Sequence, residues 1–166
     1  MKNLKIKKIL IVVLLVLCVI FTSLFIFKPK GMFVTASTDV PTGFSDFDNW
    51  MMNEVGIEAT PAHLIIKEGK VTSYVDFGIT KEEFKQYLNN DFMSVDVWNS
   101  PIKTVDGQEV LLKDFDVVYV TKAGCDACKQ QEEYNEPQIF KKYKNLDILV
   151  YYISTEKENA TCLKCG

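Results

Sequence analysis

From Asp116 the chain reads DVVYV, and after four more residues it reaches the pair Cys125-x-x-Cys128, with the pattern KQQEEYNEPQIFKKYK following from Lys129. An unbroken apolar strand of this kind has to be covered on both faces. The two thiols therefore stand where a buried strand gives way to a helix, which Pro137 kinks or restarts. LDILVYYIS, residues 146–154, follows as a further strand. This pattern of strands and helices is expected to be an α/β fold, a central sheet flanked by helices.

Upstream the same alternation appears. Ser45, Phe47, Trp50, Met51 and Val55 recur at helical spacing and end at Gly56, predicting a short amphipathic helix. PAHLIIK and VTSYVDF read as two strands around a turn at Glu68-Gly69. In TKEEFKQYLNN, Thr80 with Glu83 forms a capping box, and Phe84, Tyr87 and Leu88 make the apolar stripe of a helix. Residues 91–110 are weaker, with short strands expected near Val95–Trp98 and Ile102–Val105, interrupted by Pro101. The Thr, Ser, Gly and Pro of residues 31–44 predict a linker. His63, the only histidine, lies among Leu64, Ile65 and Ile66 and reads as a sheet residue rather than a ligand.

Residues 9–27 are nineteen uncharged, apolar positions, long enough to cross a hydrocarbon core of about 30 Å. Lys2, Lys5, Lys7 and Lys8 precede the run, which keeps the N-terminus in the cytoplasm and places the rest outside. A cleaved signal ending at Val34-Thr35-Ala36 is the competing reading, but the length of the run favours an uncleaved anchor. Cys18, inside the run, is a bystander. From residue 37 onward 13 Lys face 22 Asp and Glu, a formal charge of −9, so the exported part is repelled by anionic lipid. No arginine occurs, and nucleic acid is not an expected partner. The expected layout is residues 1–30 as cytoplasmic lysines and membrane anchor, 31–44 as linker, and 45–166 as one domain.

Export permits disulfides, and the chain closes on a second pair, Cys162 and Cys165. All four thiols together have the knuckle spacing of a zinc ribbon, yet the intervening stretch holds a helix and a buried strand where a ribbon has a hairpin. As a staple, a bridge within one Cys-x-x-Cys is worth about 1.9 kcal/mol against about 3.8 kcal/mol for Cys128 to Cys162. Adjacent pairing thus yields little stability and an accessible, reducible bond, which favours redox use of Cys125 and Cys128. A helix start lowers the pKa of a thiol placed on it. Cys125 is the candidate nucleophile and Cys128 the resolving thiol, with Lys122 and Lys129 supporting a thiolate and Asp126 opposing it.

Two blocks resemble the thioredoxin family. DVVYVTKAGCDACKQQEEYNEPQIFKKYKNLDILVYYIS looks like its central strand, Cys-x-x-Cys, helix and next strand. VGIEATPAHLIIKEGKVTSYVDFGITKEEFKQYL looks like its other half, from the Thr-Pro to the last helix. The resemblance implies that Pro61 is cis and lies against the thiols, that Thr60 docks an extended substrate polypeptide, that Cys125 attacks and that Cys128 resolves. The halves stand in reversed order: Pro61 precedes Cys125, in contrast to the family. Either the domain is circularly permuted, with residues 45–90 as the proline half and 91–166 as the cysteine half, or two units have each lost a half. Burial favours one composite domain, since either half alone leaves an open sheet edge and an apolar face. Gly124 stands where the family has an aromatic residue, no proline lies between the cysteines, and Cys162 and Cys165 fall outside both blocks.

The expected function is a membrane-anchored extracytoplasmic thiol-disulfide oxidoreductase without cofactor or metal, acting on exported polypeptides or a redox partner protein. Cys162 and Cys165 are a possible second redox pair or an incidental disulfide. The alternatives are a non-catalytic thioredoxin-like accessory module, as in bacteriocin export, and a four-cysteine zinc site.

Overall fold

In a computed structural model, residues 31–37 and 45–153 are described. The four apolar strand segments all enter a single sheet, and three of them, Ala62–Lys67, Val117–Lys122 and Ile148–Ile153, are buried over most of their length because Val, Ile, Leu or Tyr stands on both faces. The chain runs through β1 (Phe33–Ser37), α1 (Asp46–Trp50, continued by a π-helical turn Met51–Val55), β2 (Ala62–Lys67), β3 (Lys70–Asp76), α2 (Lys81–Asn89) and β4 (Val95–Asp96). It continues through β5 (Ile102–Lys103), β6 (Glu109–Val110), β7 (Val117–Lys122), α3 (Asp126–Gln130), a π-helical turn (Gln131–Asn135), α4 (Glu136–Lys142) and β8 (Ile148–Ile153). The main sheet has six strands in the order β1-β8-β7-β2-β3-β4. β1, β8 and β7 are parallel, and β2, β3 and β4 are joined antiparallel.

The stretch with the proline and the stretch with the cysteines thus share one sheet, joined where β2 pairs with β7, Ala62 opposite Val120 and Ile65 opposite Val117. That seam sets the site, because it brings the start of β2 beside the end of β7. Strand alternation sorts the residues to two cores. Leu64, Ile66, Val118, Val120, Leu149 and Tyr151 face α1 through Phe47, Met51 and Val55. Ile65, Val117, Tyr119, Ile148 and Val150 face Phe84 of α2 and Ile139 of α4.

The capped helices form where their end signals lie. Ser45 closes a capping box with Asp48 at the start of α1, and Gly56, at φ 91°, ends the turn that follows it. Thr80 and Glu83 do the same for α2. The helix after the thiols opens at Asp126, widens into a π-helical turn and restarts at Glu136, so that Pro137 falls in a first turn where its missing N–H costs nothing.

The expected linker at 31–44 is corrected in part: Phe33–Ser37 is the edge strand β1. Its signal was hidden because its partner is β8, at the far end of the chain. Asp147, just before β8, anchors it by accepting from the backbone N–H of Gly31 at 2.9 Å and of Met32 at 2.8 Å. The domain therefore begins before residue 45. The β5–β6 hairpin leans on β1's outer edge, with Val105 N–H donating to the Thr35 carbonyl at 3.0 Å; β6 was not foreseen. Residues 9–27 lie outside the described residues, among which no helix is long and apolar enough to cross a membrane.

Candidate functional site

The end of β7 turns at Gly124 (φ 74°) and delivers Cys125 to the N-cap of α3. There the Cys125 Sγ accepts from the backbone N–H of Cys128 at 3.3 Å, taking up one of the N–H groups that a helix start leaves unpaired. Across the seam, the Thr60–Pro61 peptide bond is cis. The Thr60 hydroxyl donates to Cys125 Sγ at 3.9 Å, and the Cys125 thiol points back to the Thr60 carbonyl at 3.7 Å. Thr60, Pro61, Cys125 and Cys128, named separately from the sequence, therefore meet at one end of the sheet.

The two thiols are unbonded and unlike. Cys125 is half-buried, whereas Cys128 is 1% exposed. Burial, reinforced by the Cys125 thiol, pushes the Cys128 pKa up to about 11, with the Thr60 hydroxyl and the Lys122 backbone offsetting part of it. Cys128 is thus held as a neutral thiol behind a more accessible sulfur, which receives two hydrogen-bond donors. Such an arrangement can perform nucleophilic sulfur chemistry at Cys125 with a second sulfur in reserve.

The backbone around Pro61 is fixed by residues the sequence did not single out. Asp76 Oδ2 accepts from Glu58 N–H at 3.1 Å and ties the approach to Thr60 onto β3; burial raises this carboxyl above its ordinary range despite that hydrogen bond. Gly78 N–H donates to the Pro61 carbonyl at 3.3 Å. Gln131, 3% exposed in the π-helical turn, clasps Ile79 by accepting from its N–H at 3.0 Å and donating to its carbonyl at 2.9 Å. Gln131 Nε2 also donates to Glu136 Oε1 at 2.6 Å, and His63 Nε2 meets that oxygen at 2.7 Å. His63 is the sheet residue expected, fully buried in β2. A polar network therefore runs from the proline strand to the cysteine helix. No periodicity marks Gln131 or Glu136, since both sit in a polar run where only the π-helical turn rotates them inward.

Phe77 was also missed. It follows β3, adopts φ 68° and leaves its ring 58% exposed immediately before Gly78 and its bond to Pro61. An apolar residue next to a strand-end glycine was the available signal. Among the described residues no group of three or more His, Cys, Asp and Glu side chains is placed to hold a metal. Cys162 and Cys165 lie outside the described residues. Compared with protein-family models, curated proteins and solved structures, the chain finds no match.

Proposed function

We propose that the chain is a thioredoxin-like thiol-disulfide oxidoreductase of permuted order, held in the cell membrane through residues 9–27, with its domain outside, acting on exported polypeptides. One observation carries this reading: Cys125 Sγ sits at a helix start with Thr60 at 3.7–3.9 Å, drawn with Pro61 from the other half of the chain. In the reductive direction the Cys125 thiolate attacks one sulfur of a substrate disulfide. A mixed disulfide forms and one substrate thiolate leaves, taking up a proton. Cys128 then gives up its proton and attacks Cys125 Sγ. The second substrate thiol leaves, and two electrons have passed from the pair to the substrate, leaving a Cys125–Cys128 disulfide. The reverse sequence oxidises a substrate dithiol.

Thr60 would offer backbone to an extended substrate, and the exposed Phe77 ring would give it an apolar contact beside Pro61. That exposed ring also suits the second reading, a non-catalytic module that holds a secreted peptide, as in bacteriocin export. Insulin reduction by the full chain tests the first. Turnover is expected from the wild type and not from Cys125→Ser, and Cys128→Ser should accumulate the mixed disulfide. Wild-type turnover no faster than that of Cys125→Ser overturns the enzymatic reading; peptide capture lost on Phe77→Ser would then support the binding module.

A further inference from the structure

β7 and β8 run parallel, with Thr121 opposite Tyr152 and Lys122 opposite Ile153, so both strands leave the sheet at the same end. From Lys122 the chain reaches Cys125 in three residues, and from Ile153 it reaches Cys162 in nine and Cys165 in twelve. The path from Ile153 across to Lys122 and on to Cys125 is at most about 16 Å, one interstrand spacing plus three residues. Nine residues span up to about 30 Å. Cys162 therefore has about twice the reach it needs, and a disulfide asks only that the two Cα atoms come within about 6 Å.

Of the two thiols at the start of α3, only Cys125 is open to an incoming sulfur, since Cys128 is 1% exposed. A bridge from the C-terminal segment to Cys128 would pull that side chain out of the core. The segment's sulfur is therefore received at Cys125, the sulfur that already stands at the helix start. The shorter tether gives Cys162 the higher effective concentration there, on the order of millimolar. Its approach is from the β8 side of β7, whereas Thr60 stands on the β2 side. The position that would dock a substrate and the point from which the terminal cysteines come thus lie on opposite flanks of one sulfur.

We propose that Cys162 and Cys165 form an internal dithiol that recharges the Cys125–Cys128 pair by disulfide exchange within the chain. The proposal rests on the thiol-disulfide reading above and adds to it a source of electrons. Once a substrate has left the pair oxidised, the Cys162 thiolate attacks Cys125 Sγ. The Cys125–Cys128 bond breaks, and Cys128 leaves as a thiolate and takes up the proton that Cys162 gave up. Cys165 then loses its proton and attacks Cys162 Sγ. The Cys125–Cys162 bond breaks, and Cys125 leaves and takes up that proton. Two electrons have moved from the terminal cysteines to the pair, a Cys162–Cys165 disulfide remains, and no outside oxidant or reductant enters. A fully reduced chain can then serve two substrate disulfides, where the first pair alone serves one.

The test uses the full chain in a Cys18→Ser background. Fully reduced, freed of reductant and mixed with excess insulin, it should reduce about two disulfides per chain; Cys162→Ser with Cys165→Ser should reduce about one, and Cys125→Ser none. A trap reads the bridge itself. With Cys128→Ser and Cys165→Ser together, equilibration with oxidised glutathione and digestion after lysine should yield residues 123–129 disulfide-linked to residues 158–164. The yield should hold when the chain is diluted about tenfold, as for a bridge within one chain. The trap needs no substrate, so a bridge formed in a chain that reduces no insulin counts against the thiol-disulfide reading alone. A chain that reduces one disulfide and forms no bridge counts against the exchange alone. Insulin reduction by Cys125→Ser, equal yields of reduced insulin with and without the terminal cysteines, or a bridge lost on dilution overturns the proposal.

Discussion

Replacing Cys128 by Ala should remove a defined part of the protein's sensitivity to alkaline pH. The Cys128 thiol is 1% exposed, and burial followed by the Cys125 thiol raises it from an ordinary 9.0 to about 11. The unfolded chain loses this proton near the ordinary value, while the folded chain keeps it. Between the two values the folded state binds more protons, so stability falls as pH rises. The contribution is fully present below 9.0 and is lost as pH passes through about 11. The difference amounts to about 3 kcal/mol, a large share of the roughly 5–15 kcal/mol that holds a domain together. Urea unfolding of the reduced protein across this window measures it. Wild type should lose about 3 kcal/mol more than Cys128→Ala. Tyr152, also raised chiefly by burial, pushes the same way in both proteins and cancels in the difference, whereas Tyr119, raised chiefly by burial but in its smallest part by Cys128, cancels except for that part. The lost packing of the sulfur is an offset independent of pH. Parallel curves for the two proteins refute the reasoning, because they mean that the Cys128 sulfur is solvated as well in the fold as out of it.

Two further perturbations address the network behind the thiols. Glu136→Leu leaves His63 and Gln131 without their shared buried acceptor and should cost about 1–3 kcal/mol; with His63→Leu added, the loss should be smaller than the sum of the single losses, and additive losses in urea melts would contradict the coupling at 2.7 Å. Gly78→Ala places a Cβ 2.8 Å from Gln131 Oε1 and 3.6 Å from Pro61 Cγ at a φ of 84°. It should lower stability by about 1–3 kcal/mol and slow insulin reduction, whereas wild-type behaviour in both assays would show that the Gln131 clasp does not hold the Pro61 backbone.

Elements with a signal inside their own few residues were legible. Thr80 with Glu83, Ser45 with Gly56, and the apolar runs of β2, β7 and β8 each announced themselves because caps and periodicity act locally. β1 and β6 did not, since a strand of mixed composition such as FVTAS, or one of only two residues such as Glu109–Val110, is made by the partner it meets. The helix after the thiols was legible as a helix restarted at Pro137, but not as one with a π-helical turn that sends Gln131 and Glu136 inward.

The sequence by itself determined that two thiols stand between a buried strand and a helix, and that a Thr-Pro precedes another buried strand. Only the tertiary structure decided that these meet. Alternation of apolar residues specifies which face of a strand is buried, not which strand lies beside it. The choice of β7 as the neighbour of β2 brings Thr60 to 3.7 Å from Cys125. The same long-range packing buries Cys128 and raises its pKa, and it buries Glu136 against His63 and Gln131.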